Sequence, residues 1–274
     1  MPFVPLVPFC GWLLCLLCLF VADVLRDLLR SEVNVLVNQK ILVVGGSGDI
    51  GKAMLSRFLA DEAVVFATYN NHPEALAAFS QNPNFSAVRM DVTNLASVEA
   101  AYEEIQTKGS LDSLVYNAGI TRDNLLLGLE EKDWLEVIET NLNGAFRVAR
   151  TFGKIFFRKK AGKMLFISSV AGTHGGRGQS NYAASKAGLE ALVRSLAVEM
   201  APRGVLVNAI APGPIESKMT KDVMNLASEE VLRRIPLHRL GKPEEIAAFT
   251  AHFLSPEISW VTGQTFAIDG GFGL

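Results

Sequence analysis

At 274 residues, with 49% hydrophobic and 20% charged side chains, the chain is long enough for one large α/β domain or two small ones. A net charge of −2, with no long lysine- or arginine-rich run, argues against a nucleic-acid partner. All three cysteines, Cys10, Cys15 and Cys18, lie near the N-terminus, so the cysteine-free remainder excludes a disulfide framework and fits a reducing compartment.

From Phe3 to Ala22 there is no charge, close to the roughly twenty apolar residues that span a bilayer. The segment lacks the basic leading region and small-residue cleavage site of a secretory signal. Pro2, Pro5 and Pro8 interrupt its start, and Asp23, Arg26, Asp27, Arg30 and Glu32 nearly cancel behind it, so charge sets no orientation. Three readings stay open: translation beginning downstream at Val33, Val35 or Val37, a membrane anchor, or a disordered or docking extension. The first strand is expected at Lys40, dividing the chain into an apolar extension over 1–36 and a single domain over 37–274.

Beyond Gln39, short β-branched runs alternate with amphipathic segments, the pattern of an α/β doubly wound parallel sheet with helices on both faces. Strands are predicted at Ile41–Val44, Val64–Thr68, Ser86–Met90, Ser113–Tyr116, Lys163–Ile167, Leu206–Ile210 and Thr265–Ile268. Helices are predicted to begin near Ile50, Pro73, Leu95, Asp133, Asn181 and Pro243. Pro212, Gly213, Pro214, Pro236 and Gly241 bracket a short helical piece, read as a lid over about 213–240 at the carboxyl ends of the strands.

The first strand runs into Gly45-Gly46-Ser47-Gly48-Asp49-Ile50-Gly51 and then an apolar helix. A glycine-rich turn between strand and helix lets the backbone approach a pyrophosphate, which the helix N-terminus favours. Tyr116-Asn117-Ala118-Gly119-Ile120 closes the fourth strand, where it would face such a cofactor. Trp134, Ile138, Leu142, Ala145, Val148 and Phe152 mark one continuous core helix with Asn141 beside the stripe, either a satisfied core amide or part of a polar relay. Ser168-Ser169 ends the fifth strand, where a hydroxyl caps the chain or meets a substrate oxygen.

Asn181-Tyr182-Ala183-Ala184-Ser185-Lys186 opens a helix whose inward face is Leu189, Leu192, Val193, Leu196, Ala197 and Met200. Extending that stripe backwards brings Tyr182 and Lys186 onto it. A cornered ammonium beside a phenol is expected to lower the phenol's pKa and make it a proton donor for a ketone.

In this order, these elements resemble the short-chain dehydrogenase/reductase family from about Lys40 to Leu274. The wording looks most like bacterial 3-oxoacyl-(acyl-carrier-protein) reductases at Asn117–Leu126, Gly178–Gly188, Ala211–Ser217, Gly263-Gln264 and Asp269-Gly270-Gly271. The resemblance implies a seven-stranded Rossmann sheet, a homotetramer and a cytoplasmic setting. It makes Tyr182 the general acid and Lys186 the group that lowers its pKa while binding the nicotinamide ribose. Ser169 would hold the substrate carbonyl, and Asn141 would position a water linking Lys186 to solvent. Gly45, Ser47, Gly48, Asp49, Ile50 and Gly51 would hold phosphate, Asp91 and Val92 would border the adenine, and Asn117, Ala118 and Gly119 would lie by the adjoining ribose. Pro212, Gly213 and Ile215 would meet the carboxamide.

Two departures stand out. Val44 replaces the usual threonine and so removes a loop-bracing hydroxyl, and Asp49 stands where a glycine is usual, a carboxylate that would repel pyrophosphate unless aimed away. Thr68-Tyr69-Asn70-Asn71-His72 holds no acid to grip a ribose 2′-hydroxyl, which favours NADP(H) over NAD(H). Arg158, Lys159 and Lys160, with Arg203, correspond to positions where the subgroup docks its acidic carrier protein, so Lys160 and Arg203 are expected to flank the mouth of the site. The implied reaction is NADPH-dependent reduction of a 3-oxoacyl thioester; reduction of a free ketone or polyol and a non-catalytic nucleotide-binding scaffold are the alternatives.

Overall fold

The computed structural model describes residues 34–217 and 229–274. Contacts divide the chain after Asn34, and the unit Val35–Leu274 is the one built as follows. Its described residues hold one seven-stranded, all-parallel sheet in the order β3-β2-β1-β4-β5-β6-β7. The strands are β1 (Lys40–Val44), β2 (Val64–Tyr69), β3 (Phe85–Arg89), β4 (Ser113–Tyr116), β5 (Gly162–Ile167), β6 (Val205–Pro212) and β7 (Thr265–Ile268). The helices are α1 (Asp49–Ala60), α2 (Leu95–Gln106), α3 (Glu131–Ile138), α4 (Gly144–Lys159), a single turn α5 (Ala171–His174), α6 (Ser180–Met200) and α7 (Pro243–Leu254).

Because both faces of the sheet are covered, the central strands read as unbroken apolar runs. Alternate residues then serve opposite cores. Leu42, Val44, Phe66, Leu114 and Phe166 join residues of α2, α4 and α6. Ile41, Val43, Val65, Val115 and Leu165 join those of α1 and α7. The sheet order reverses direction between β1 and β4, which opens a crevice at the carboxyl ends of those strands.

Three expectations change. Pro73–Phe79 is a 3-10 helix, with Leu76 as its one buried side chain and too little apolar surface to anchor an α-helix. The core helix expected through Trp134 and Phe152 breaks at a π turn, Glu139–Asn143. Upstream of the break, Val137 is buried rather than Trp134 or Ile138. Finally, the folded body starts before Val37: Leu36 is fully buried and Val35 packs against the same cluster.

Within the segment read as a lid, residues 218–228 lie outside the described ones, and its flanks meet in a parallel bridge between Ile215 and Gly241. Phe3–Ala22 and the three cysteines also lie outside them. Among the described residues, no helix is long and apolar enough to cross a membrane.

Candidate active site

The glycine loop lies between the ends of β1 and β4. Gly45 has φ +79°, and a side chain there would drive its Cβ to 2.7 Å from the Ala118 backbone. Asn117 donates through Nδ2 to the Gly45 carbonyl at 2.9 Å, so this asparagine fastens the loop to β4. The loop is braced from the neighbouring strand: Gly45 N–H donates to Thr68 Oγ1 at 3.1 Å, and Gly46 N–H to the Thr68 carbonyl at 3.1 Å. A Cβ at Gly48, by contrast, would meet nothing nearer than 4.0 Å. The backbone there is open at the start of α1, where the first amides have no partner within the helix. That open approach at a helix N-terminus fits a phosphate group. Ser47 and Ile50 are half-buried beside it. Asp49 borders a groove of about 750 Å³ between α1 and α7, shared with Lys52, Arg57, Glu216 and Glu244.

Tyr69 is half-buried at the end of β2, and Asn70, Asn71 and His72 beyond it are exposed. The carboxylate of Asp91 accepts from Thr93 N–H at 2.9 Å and its hydroxyl at 2.7 Å, which folds the turn after β3. Val92 is a core residue whose carbonyl accepts from Arg147. On the other side of the crevice, Pro212 and Gly213 are held between two strand ends. Val170 N–H donates to the Pro212 carbonyl at 3.1 Å and Gly213 N–H to the Ile268 carbonyl at 3.0 Å. Ile215 is buried beyond them.

The four proposed catalytic residues converge from three elements. Asn141 is fully buried on the π turn. Its Oδ1 accepts from Ile120 N–H at 2.9 Å, and its Nδ2 donates to the Ile120 carbonyl and to Ser185 Oγ, each at 3.0 Å. Lys186 Nζ donates to the Ile167 carbonyl at the end of β5, at 2.7 Å, and lies 5.5 Å from the centre of the Tyr182 ring. A Cβ at Gly119 would sit 3.4 Å from Asn141 Oδ1 and 3.5 Å from Lys186 Nζ, so Gly119 is small where these groups meet. Ser169 Oγ accepts from Ala171 N–H at 3.2 Å, and Ser169 acts on the Tyr182 hydroxyl, lowering its pKa.

The charges differ from expectation. Burial pushes the Tyr182 hydroxyl up to about 12, against a lowering by its bond with Ser169, and Asp123 adds to the rise. Burial brings Lys186 down to about 8, partly offset by Glu190. Lys186 donates to the Ile167 carbonyl, and burial dominates the state of the phenol. Tyr182 is therefore a neutral phenol at physiological pH, which is the state that can give a proton away.

Lys160 and Arg203 adjoin each other, since a Cβ at Gly204 would be 3.1 Å from the Lys160 carbonyl, and Arg203 lies 4.3 Å over the Phe157 ring. They do not flank the mouth of the site. They precede β5 and β6, whereas Ser169 follows β5, and parallel strands put those positions at opposite ends of the strands. Among the described residues no cluster suits a metal ion.

Several contributors escaped the sequence reading. Asn181 is fully buried, donating to the Arg122 carbonyl at 2.9 Å and accepting from Tyr182 N–H at 2.7 Å, which fixes the entry to α6. Its place beside Tyr182 on the inward stripe was the available signal. Ser185 and Thr68 carried none, because the site groups they meet, Asn141 and the Gly45 amide, are distant in sequence.

A family described as enoyl-(acyl carrier protein) reductase matches residues 45–273. The 3-oxoacyl-[acyl-carrier-protein] reductase FabG of Escherichia coli (strain K12) is 40% identical over 233 residues, covering 84% of this chain and 95% of its own. The 3-oxoacyl-[acyl-carrier-protein] reductase of Synechocystis sp. is 41% identical over 244 residues, covering 86% and 97%. A solved structure, the crystal structure of gox2181, superposes with a TM-score of 0.84 at 32% identity, covering 87% of this chain and 97% of that one. With its parallel sheet, glycine loop and Tyr182–Lys186 helix, the chain belongs to the short-chain dehydrogenase/reductase family of oxidoreductases.

Proposed function

We propose that the protein reduces a 3-oxoacyl thioester borne by acyl-carrier protein to the 3-hydroxyacyl thioester, using NADPH. The convergence of Ser169, Tyr182, Lys186 and Asn141 beside the glycine loop carries this reading, and the names of relatives at 40% identity point to the same acyl carrier. A bound nicotinamide supplies the hydride. Tyr182 gives its hydroxyl proton to the carbonyl oxygen as that oxygen becomes an alcohol, and Ser169, which bears on the same hydroxyl, holds that oxygen. Lys186 steadies the phenolate left behind and binds the nicotinamide ribose. Asn141 fixes Ile120 and Ser185 around it and positions the water that returns a proton.

Gly45, Ser47, Gly48, Asp49, Ile50 and Gly51 would hold the phosphates, Asp91, Val92 and Asn117 the adenosine, and Pro212, Gly213 and Ile215 the carboxamide. The preference for NADPH rests on Tyr69, Asn70 and Asn71, which offer no carboxylate. It also rests on Arg89, exposed in register with Tyr69 on the same face of the sheet. We further propose that Lys160 and Arg203 receive the acidic carrier for a neighbouring subunit of a homotetramer, because they lie opposite their own site. The enzyme is proposed to work in the cytoplasm, with residues 1–36 an extension to the reductase domain.

Oxidation of NADPH with acetoacetyl thioesters on carrier protein, on CoA and as the free acid tests the reading. Carrier-bound substrate should be used best. Reversing Lys160 and Arg203 to Glu should weaken its use at least about tenfold at low salt while leaving the CoA thioester nearly unchanged. Free acids turned over as fast as thioesters would make it a reductase of another ketone.

A further inference from the structure

Glu190 is a carboxylate only 8% exposed, one helical turn beyond Lys186, which is 4% exposed. Ser168 Oγ donates to Glu190 Oε1 at 2.7 Å. Its surroundings leave it little freedom, since a Cβ at Gly172 would come within 3.0 Å of that same oxygen. Two consecutive residues at the end of β5 are thereby tied to α6, Ile167 to Lys186 and Ser168 to Glu190, immediately before Ser169. A buried carboxylate is costly unless it is hydrogen-bonded and faces an opposite charge. Here Ser168 supplies the hydrogen bond, and the positive charge one helical turn away is Lys186, the lysine assigned to catalysis, on which Glu190 acts through its charge.

We propose that Glu190 is a positioning residue that acts as the buried counter-ion of Lys186 and, through Ser168, fixes the strand end carrying Ser169. The inference rests on the functional reading of Lys186. Around that ammonium, α6 offers Tyr182 and Glu190, the π turn offers the neutral amide of Asn141, and the end of β5 offers the hydroxyls of Ser168 and Ser169. Asp123, from the loop after β4, bears on Tyr182. Among the described residues, Glu190 is the charged group that raises Lys186, opposing the lowering by burial. A glutamate kept only for packing would leave the ionisation of Lys186 alone when replaced by glutamine. A counter-ion would not.

The test replaces Glu190→Gln, which can still accept from Ser168 but carries no charge. Two readouts are compared: the alkaline limb of kcat/KM, and the titration of the Lys186 ¹³Cε signal in ¹³C-lysine-labelled protein, assigned by its loss in Lys186→Met. Both midpoints should fall by about half a pH unit or more. Glu190→Asp, which keeps the charge, should stay nearer the parent. Should the glutamine variant fail to fold, Glu190→Met, of similar length, gives the same comparison. A Lys186 midpoint unchanged in the charge-free variant overturns the proposal. Because that titration needs no substrate, a protein that shows the shift yet reduces no 3-oxoacyl thioester loses only the reductase reading.

Discussion

The Tyr116 hydroxyl donates to the Thr140 carbonyl at 2.6 Å, joining the last residue of β4 to the π turn between α3 and α4. A π turn leaves helix carbonyls without their usual partners, and this bond satisfies one of them. The wide turn accompanies the inward placement of Asn141. Tyr116→Phe should therefore cost about 1–3 kcal/mol in urea unfolding, the penalty for a buried acceptor left unpaired. Turnover should fall as well, since Asn141 loses its support. A variant as stable as the parent would show that the turn stands without the phenol.

Tyr182→Phe removes the proposed general acid and leaves the ring. Turnover should drop about a hundredfold to ten-thousandfold, while nucleotide binding followed by fluorescence stays close to the parent's. Activity within a few-fold of the parent would remove the assigned mechanism.

Lys186 is brought down to about 8 by burial and Tyr182 pushed up to about 12, so the lysine is the first of the two to change state as pH rises. Below about 8 the ammonium is intact; above it, the cation is lost while the phenol keeps its proton. Reduction should accordingly hold steady on the acid side of about 8 and fall about tenfold per pH unit beyond it. A rate–pH profile that declines only near 12 would assign the alkaline limb to Tyr182 instead.

Asn70→Asp places a carboxylate where a 2′-phosphate is proposed to lie. Isothermal titration should show NADPH binding weakened and NADH binding kept or improved, by like-charge repulsion. Equal affinity of the parent for both, unaltered by the change, would rule out this subsite.

Much of this architecture could be read from the chain. The strands were visible because burial on both faces enforces unbroken β-branched runs, and α6 because Leu189, Val193, Ala197 and Met200 repeat at helical spacing on a buried face. What depended on distant partners was not visible. The π turn is bonded to Tyr116, 24 residues before Thr140, and Leu36 is recognised as core only against β1 and α1. The state of Tyr182 also stayed hidden, since adjacency to Lys186 says nothing about how deeply both are removed from water.

Thr68→Val should leave the Gly45 amide without its side-chain acceptor, lowering stability by about 1 kcal/mol and weakening nucleotide binding. Adding Val44→Thr to that variant should restore much of both, by thermal unfolding and fluorescence titration. A double variant no better than Thr68→Val would show that the two hydroxyls are not equivalent.

Val44 and Thr68 occupy the next step of the β1–β2 ladder after Val43 and Ala67, so the hydroxyl that braces Gly45 stands one strand away from Val44. Such a pair constrains descent. A lineage moving the hydroxyl from one strand to the other keeps its loop only by passing through a form with threonine on both. The form with valine on both strands the Gly45 amide. The order of substitutions is therefore directional: gain on one strand precedes loss on the other. The two positions should covary among relatives as alternatives, even though each taken singly looks expendable.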